Sequence, residues 1–254
     1  MDPYRTIAHP AAWQESWDRQ QQAYLPDREH RIAAMLDTVA AAIDNRQLRL
    51  LDLAGGTGTI SLRALHRFPD AQVTLVDQDP VLLAIATASL SGRATIVTAD
   101  LNDTAWITTL PHRQFNAVLA TTALHWLTPE RLRGLYREIH DLLQPGGLII
   151  NADHMPDDGL PTLTTRLTAA ADHTHQTRCH TGAALSWNAW WERIAADPVL
   201  APLHERRTQS YPDRHHTEWN PPMSWHLAAL RDAGYAEAGL VWRGAADAAV
   251  TGVR

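Results

Sequence analysis

The sequence predicts a doubly wound α/β fold, and three observations lead to that prediction. Residues 48–53 (LRLLDL) form a short apolar run, residues 54–58 (AGGTG) form a glycine turn, and residues 59–68 carry a helical pattern. A buried strand, a glycine turn and a helix are the opening unit of such a sheet. Strand and helix patterns then alternate as far as Ala152. The length of 254 residues suffices for one α/β domain with insertions.

The elements on either side of this unit follow from their hydrophobic patterns. Upstream, three aromatic residues (Trp13, Trp17 and Tyr24) line one side of a helix or loop, and an amphipathic helix capped by Asp27 follows. Downstream, strands are expected at residues 72–76, 94–98, 115–120 and 148–152. Three helices are expected. The first follows Asp79, which caps it, the second lies near residues 104–110, and the third begins at Pro129.

The composition favours neither nucleic-acid binding nor a membrane span. The net charge is −6 and the pI about 6.1, whereas proteins that bind phosphate backbones usually carry a basic surface. The sequence has no run of ~18 apolar residues. Cys179 is the single cysteine, and residues 1–20 lack the pattern of a signal or transit peptide. We therefore expect a cytoplasmic protein, and nothing in the sequence indicates its oligomeric state.

The glycine turn is typical of a ligand site, because glycines leave the backbone N–H groups accessible. Its spacing is not the G-x-G-x-x-G of dinucleotide folds, and a Gly-Lys-Ser/Thr phosphate loop is excluded because all 22 basic residues are arginine. The turn resembles motif I of class I S-adenosylmethionine-dependent methyltransferases, an acidic residue followed by G-x-G-x-G, in which Asp52, Gly56 and Gly58 match. Gly55, between them, is a further candidate cofactor contact. Ala54 stands where the first glycine usually is, and we expect its methyl group to narrow the turn without closing it.

Two further acidic positions resemble motifs of the same family. Asp77 follows a predicted strand, where a carboxylate can accept hydrogen bonds from two ribose hydroxyls. The resemblance to motif II implies that Gln78 lies against the adenine. The resemblance to motif III implies that Asp100 accepts from the adenine amino group while the Leu101 backbone meets the ring. The alternatives are a turn role for Asp77 and a helix-capping role for Asp100.

Candidates for catalysis follow the strand at residues 115–120. The segment TTALHWL after it resembles the corresponding segment of trans-aconitate-methyltransferase-like enzymes. Thr121 is a candidate cofactor contact, and Trp126 is a candidate acceptor contact. His125 could take a proton from a nucleophile near neutral pH, or it could merely bond a backbone carbonyl. His154, after the next strand, is a further candidate base.

The C-terminal part of the sequence implies the final topology through the same resemblance. A helix, a glycine turn and two strands, at residues 238–243 and 247–253, are how the methyltransferase sheet ends. The resemblance therefore implies seven strands, mostly parallel with an antiparallel last strand, plus a helical lid insertion.

This reading divides the chain into three parts. The predicted parts are N-terminal cap helices at 1–46, a cofactor-binding core at 47–154 and 223–254, and a lid or substrate insertion at 155–222. In this family the N-terminal helices close over the cofactor. Arg28 is thus a candidate cofactor contact, and Trp17 and Tyr24 are candidate acceptor contacts; surface packing is the alternative.

The insertion concentrates histidine and tryptophan, with helices expected at residues 160–172 and 186–196. Trp187 and Trp191 share one helical side, so they are candidate acceptor contacts or packing residues. His215 is a candidate acid or base, and His216 a candidate acceptor contact. No H-E-x-x-H or C-x-x-C spacing accompanies the histidines, and we expect no metal site.

The function implied by the resemblance is methyl transfer from S-adenosylmethionine to a small-molecule acceptor. Such a transfer is an in-line displacement, which requires alignment of the reacting atoms and exclusion of water. Two alternatives remain open. One is a non-methylating member of the fold that uses the cofactor as a scaffold in a natural-product rearrangement, and the other is a nicotinamide-dependent oxidoreductase.

Overall fold

The computed structural model describes residues 7–25, 27–43, 48–181, 184–210 and 218–254. The strands are β1 Arg49–Leu53, β2 Gln72–Asp77, β3 Ala94–Thr98, β4 Phe115–Thr121, β5 Leu143–His154, β6 Glu237–Arg243 and β7 Asp247–Val253. The α-helices are α1 Pro10–Tyr24, α2 Arg28–Ala42, α3 Thr59–Arg67, α4 Pro80–Leu90, α5 Pro129–Leu142, α6 Pro161–His180, α7 Trp187–Ala196, α8 Ala201–Ser210 and α9 Met223–Asp232. Short 3₁₀ helices lie at Thr104–Thr109 and Leu124–Trp126.

The strands form one sheet in the order β3-β2-β1-β4-β5-β7-β6. Strands β1 to β5 pair in parallel, and β7 lies between β5 and β6, antiparallel to both. This arrangement confirms the predicted seven-stranded sheet with an antiparallel last strand. The chain order reverses between β1 and β4, which is where open α/β sheets bind their ligands.

The register brings the ends of the parallel strands to one edge of the sheet. Leu53 pairs with Val76 on one side and with Ala120 on the other, and Thr121 pairs with Ala152. The residues that follow β1, β2 and β4 are therefore neighbours in space, although they are far apart in sequence.

The fifth strand begins earlier than predicted. Phe115 pairs with Leu143 and Ala117 with Leu148, so the expected sharp turn at residues 144–147 is a bulge within β5. Gly146 has φ +76°, and its N–H donates to the carbonyl of Arg254. The backbone groups of Gly146 and Gly147 in this bulge thus pair with the backbone of Arg254.

Both faces of the sheet are covered by apolar helix faces. Helices α2 and α3 bury Met35, Val39 and Ala64 on one face, while α5 and α9 bury Leu135 and Leu230 on the other. Fully burying one such large aliphatic side chain stabilises a fold by ~1.5–3 kcal/mol. Asp27 precedes α2 as predicted, but its side chain makes no capping hydrogen bond within the described structure.

The insertion differs from prediction in two ways. The first expected helix continues to His180, and α8 follows α7 although it was not predicted. Helix α8 has few apolar residues, so its sequence lacks the periodicity by which a helix is recognised. Helix α7 packs against α1 and α4 in a separate apolar cluster that includes Trp13, Ile85 and Trp190. Among the residues that the structure describes, no helix has the length and apolarity needed to cross a bilayer.

Candidate functional site

The glycine turn has the strained backbone that its sequence suggests. Gly56 and Gly58 have φ values of +55° and +85°, and Ala54 has φ +50°. The left-handed region is open to glycine but costs other residues ~1–2 kcal/mol, so Ala54 is tolerated with strain. At Gly55 a Cβ atom would lie 2.7 Å from Cγ of Leu75 and 2.8 Å from Cγ of Asp52. The close approach explains why this position is glycine although its φ is not positive.

The carboxylate of Asp52 holds the turn to the helix that follows. Its Oδ2 accepts from the backbone N–H of Ser61 at 3.0 Å and from the Ser61 hydroxyl at 2.6 Å. Burial raises the pKa of Asp52 to about 7, although both hydrogen bonds from Ser61 act in the opposite direction. Asp52 therefore supports the position of the turn, and a direct contact to the cofactor stays a prediction.

The carboxylate of Asp77 lies against the same turn. Its Oδ2 accepts from the Gly56 N–H at 2.9 Å, and its Oδ1 accepts from the Asp79 N–H at 2.8 Å. Burial and the neighbouring Asp79 charge raise the pKa of Asp77 to about 6, against the hydrogen bonds that the carboxylate accepts from backbone N–H groups. Gln78 follows it, partly exposed. Asp79 caps α4 as predicted, because its Oδ1 accepts from the first two free N–H groups of that helix.

The end of β3 carries the third predicted acidic position. Oδ1 of Asp100 accepts from the backbone N–H of Asn102 at 2.8 Å and from its side-chain amide at 3.0 Å. The cap of the following 3₁₀ helix is Asp103, so the capping alternative for Asp100 is wrong. The Leu101 side chain is buried, and its carbonyl accepts from Nε of Arg131.

His125 forms a buried pair with Asp153 at the ends of β4 and β5. Nδ1 of His125 lies 2.7 Å from Oδ1 of Asp153, and the His125 backbone N–H donates to Oδ2 at 3.3 Å. Burial opposes ionisation of Asp153, but the charges of His125 and His154 outweigh it and lower the pKa of this carboxyl. With an ionised partner, Nδ1 carries the proton and Nε2 is the basic nitrogen. The ring bonds a carboxylate, so the backbone-carbonyl alternative is wrong.

Near this pair, Thr121 ends β4, and its hydroxyl lies 3.3 Å from that of Thr122. Thr122 has φ +53°, so the chain bends sharply before the segment that carries His125. Trp126 is 51% exposed, with its ring centroid 4.9 Å from that of His125. The backbone N–H of Trp219 donates to the His125 carbonyl at 3.1 Å, so Trp219 lies beside this segment.

His154 has its own carboxylate partner. Its Nδ1 lies 2.7 Å from Oδ1 of Asp247, whose Oδ2 accepts from the buried Arg31 at 2.7 Å. Burial lowers the pKa of His154. The hydrogen bond to Asp247 and the charges of Asp247 and Asp153 outweigh burial, so the pKa lies above its usual value. Asp247 and Arg31 were not singled out from the sequence, because nothing local connects α2 with the first residue of β7.

Arg28 lies at the junction of α1, α2 and α3. Its Nη1 donates to Asp18 at 3.0 Å, and Asp18 also accepts from the Thr59 hydroxyl at 2.7 Å and from Arg63 at 3.2 Å. Burial lowers the pKa of Arg28, although the Asp18 charge opposes this. Thr59 is the first residue of α3, so this cluster anchors α1 beside the glycine turn. A groove of about 740 Å³ between α1, α3 and α4 shares Asp18 and Arg63, but it lacks Asp77 and His125, and we do not assign the site to it.

The structure brings four of the predicted aromatic acceptor contacts together and leaves one apart. Trp17 contacts Trp187 with ring centroids 6.0 Å apart, and Trp187 contacts Trp191 at 5.7 Å. The Tyr24 hydroxyl accepts from the Trp187 N–H at 3.2 Å. Trp191 is buried, so packing between α1 and the insertion accounts for part of this cluster. Trp126 lies instead beside His125.

A salt bridge joins the insertion to the start of α4. Arg207 of α8 donates to Oδ2 of Asp79, with both side chains at most 8% exposed, and its guanidinium lies over the Trp191 ring. The pair was missed because the two residues are 128 positions apart. His215 and His216 lie outside the described residues. Within the described part of the chain, no group of three or more His, Cys, Asp or Glu residues is placed to hold a metal ion.

Comparison with known proteins shows that part of the chain is similar to methyltransferases. Residues 50–147 match a family model described as a methyltransferase domain. An uncharacterized methyltransferase of Geobacillus kaustophilus is 29% identical over 143 residues, which are 56% of this chain and 63% of that protein. Trans-aconitate 2-methyltransferase of Methylobacterium radiotolerans is 31% identical over 151 residues, 59% of this chain and 48% of that protein. The chain thus spans about half to three fifths of the length of these curated relatives.

A solved structure supports the fold. The S-adenosylmethionine-dependent methyltransferase SibL in its apo form superposes with a TM-score of 0.55 at 20% identity, covering 86% of this chain and 54% of that one. The residues that match the family model include the glycine turn, Asp77, Asp100 and His125. S-adenosylmethionine is the cofactor of the family to which these similarities point. Residues 50–147 are therefore similar to a methyltransferase domain, and the fold of the chain is that of S-adenosylmethionine-dependent methyltransferases.

Proposed function

We propose that this protein transfers a methyl group from S-adenosylmethionine to a small-molecule acceptor. The observation that carries the proposal is the hydrogen bond from the Gly56 N–H to Asp77 at the switch point of the sheet. This bond fixes a carboxylate beside a glycine turn, where a nucleoside with free ribose hydroxyls fits and a 2′-phosphate is repelled.

The residues at this edge fit the cofactor by their chemistry. Asp77 would accept from the ribose hydroxyls with the acceptor capacity that its bonds from backbone N–H groups leave, since an ionised carboxylate has about four lone-pair sites. Asp100 and the Leu101 backbone would bind the adenine, with Gln78 against its face. The turn of Ala54, Gly55, Gly56 and Gly58 would present N–H groups to the methionine part. Asp52 and Arg28 would act by holding the turn and α1, and Thr121 would border the site at the end of β4. These assignments are proposals.

The chain's own contribution to the chemistry centres on His125. When bound, the cofactor supplies an electrophilic methyl carbon with a good leaving group. His125 would accept the proton of an acceptor hydroxyl or amine at Nε2, while Asp153 holds the ring and stabilises the imidazolium. A positioned base of this kind typically contributes about 10²–10⁴-fold. His154 and, by sequence alone, His215 stay secondary candidates.

The insertion would exclude water from this edge and complete the acceptor site. We treat residues 1–46 as cap helices, residues 155–222 as the lid and the remainder as the core. The aromatic cluster of Trp17, Tyr24, Trp187 and Trp191 supports an acceptor with apolar surface; His216 remains a prediction from the sequence. The absence of lysine from the sequence and the net charge of −6 support a small molecule and disfavour nucleic acid. A cytoplasmic location is proposed on the same sequence grounds as before.

The family model and the two relatives reported above are methyltransferases, which supports methyl transfer. A direct test incubates the protein with methyl-labelled S-adenosylmethionine and pools of small hydroxylated and amino compounds. Label in an acceptor, reduced about 10²-fold in His125→Gln and unchanged in the exposed control His66→Gln, is the expected result. Cofactor binding without label transfer to any acceptor would favour the non-methylating alternative.

A further inference from the structure

Two histidine–carboxylate pairs lie side by side at the edge of β4, β5 and β7. The rings of His125 and His154 have centroids 5.7 Å apart with an interplanar angle of 49°. Each ring uses Nδ1 for a carboxylate, Asp153 in one case and Asp247 in the other, at 2.7 Å in both. Among the residues that the structure describes, neither Nε2 has a hydrogen-bond partner, so both nitrogens can take a ligand, and a single general base explains only one of them.

The second pair is held as firmly as the first. Asp247 binds His154 through Oδ1 and Arg31 through Oδ2, so its carboxylate cannot rotate away from the histidine without losing a partner. Arg31 is itself 1% exposed and lies over the Trp242 ring. Such supporting contacts fix the orientation of a ring and the tautomer it adopts.

The two histidines differ in access to solvent. His125 is 6% exposed and His154 is 36% exposed. Although burial and Arg31 act against it, the pKa of His154 is raised because Asp247 and Asp153 favour its protonated form. His154 is thus suited to donate a hydrogen bond from Nε2–H, and His125 keeps the role of base that the proposed function gives it.

The adjacent surface favours a flat ligand. Trp126 is half-exposed beside His125, and a half-exposed indole offers a face on which an aromatic ring can stack. Oxygens on neighbouring carbons of such a ring lie within hydrogen-bond distance of each other. Donor and acceptor groups on imidazoles roughly 5–6 Å apart can each reach one of them at about 2.8 Å.

We propose that His125 and His154 together recognise an aromatic acceptor that carries two oxygen substituents on adjacent ring carbons. This proposal rests on the proposed function and specifies its substrate class. One oxygen accepts a hydrogen bond from His154 Nε2–H. The hydroxyl of the other gives its proton to His125 Nε2 and forms a bond to the methyl carbon. The carbon–sulfur bond breaks with its electron pair on sulfur, which yields S-adenosylhomocysteine, and His125 then releases the proton to solvent.

The test compares three probes (catechol, resorcinol and phenol), which have two adjacent hydroxyls, two separated hydroxyls and one hydroxyl. Dissociation constants are measured with the protein saturated with S-adenosylhomocysteine. Catechol is expected to bind about tenfold tighter than the other two, as one additional hydrogen bond to a charged group allows. In His154→Gln this ratio should fall to about one, and in the exposed control His66→Gln it should be unchanged.

Asp247→Asn provides a second variant that keeps the size of the side chain, and it should also lower the ratio. A merely structural role of His154 would weaken all three probes equally and leave the ratio intact. Equal affinities in the parent protein, no binding of any probe, or a ratio that survives in both variants would overturn the proposal. Label transfer from S-adenosylmethionine to catechol, measured on the same samples, reports separately on the proposed function, because the binding ratio does not depend on turnover.

Discussion

Asp77 accepts a hydrogen bond from the backbone N–H of Gly56 at 2.9 Å, and this bond connects the end of β2 to the glycine turn after β1. The same carboxylate accepts from the N–H of Asp79, which caps α4 and pairs with Arg207 of the insertion. A continuous set of polar contacts therefore runs from the turn to α8. Its members should influence cofactor binding together.

Cofactor affinity should depend on the ionisation of Asp77. Burial raises the pKa of this carboxyl to about 6, and only the ionised form keeps all its acceptor sites for the ribose hydroxyls. As the pH falls below about 6, protonation should raise the Kd of S-adenosylhomocysteine by up to ~10-fold per pH unit. Titration calorimetry between pH 5 and 7.5 measures this. Asp77→Asn should bind weakly with no such slope, and a parent Kd that is constant over this range would contradict the assignment.

The pair of Arg207 and Asp79 should stabilise the docked insertion. Removing one partner of a buried ion pair typically costs ~3–5 kcal/mol, because the other charge stays buried. In Arg207→Gln the uncompensated Asp79 charge should also raise the pKa of Asp77 further, since Asp79 already acts in that direction. We expect a lower melting temperature and weaker S-adenosylhomocysteine binding at pH 6.5.

The control for this variant is Arg166→Gln, an exposed position on α6 of the same insertion. It should change neither quantity, because the loss of an exposed charge is worth ~0–1 kcal/mol. If Arg207→Gln behaved like Arg166→Gln, the ion pair would have no part in holding α8 against the core.

The glycine turn should respond oppositely to two substitutions one residue apart. Ala54→Gly removes the strain of a left-handed alanine, and after the added flexibility of the unfolded chain we expect a gain of about 0.5–1 kcal/mol in the free energy of unfolding. Gly55→Ala places a Cβ against Leu75 and Asp52 and should cost ~1–3 kcal/mol. Urea unfolding monitored by tryptophan fluorescence gives both values. A destabilised Ala54→Gly would show that the alanine methyl group is needed for packing.

Asp153 should matter for turnover and not for cofactor affinity. In Asp153→Asn the amide can bond His125 without stabilising its protonated form, so the ring loses its strength as a base. We expect kcat to fall ~10²-fold or more with an unchanged Kd for S-adenosylhomocysteine. Steady-state rates on the acceptor found by label transfer give kcat. Near-parent turnover would remove the pair from the mechanism.

The sheet was predictable because its signals are local. Each of the first four strands appears as an apolar run within one residue of its observed bounds, and the Asp79–Pro80 pair marks the start of α4. The strand that begins at Leu143 was predicted to begin at residue 148, since a bulge with glycines has the sequence of a turn. Helix α8 was missed because Ala201–Ser210 is mostly polar.

The candidate site was predictable in its positions but not in its pairings. His125, His154, Asp77 and Asp100 were singled out because each follows a predicted parallel strand, and the resemblance to motifs II and III added roles for Asp77 and Asp100. Their partners come from distant parts of the chain: Asp247 is 93 positions from His154, and Arg207 is 128 positions from Asp79. No periodicity reports such contacts, so Arg31, Asp247 and Arg207 required the structure.

The measurement that tests the central claim most directly is calorimetric titration with S-adenosylmethionine and S-adenosylhomocysteine at pH 7.5, with NADH as control. We predict a Kd on the order of 1 μM for both sulfur ligands, or ~8 kcal/mol of binding free energy, lost in Asp77→Ala, and no heat with NADH. Absence of binding by both ligands, or unchanged binding in Asp77→Ala, would contradict the assignment of this edge as the cofactor site.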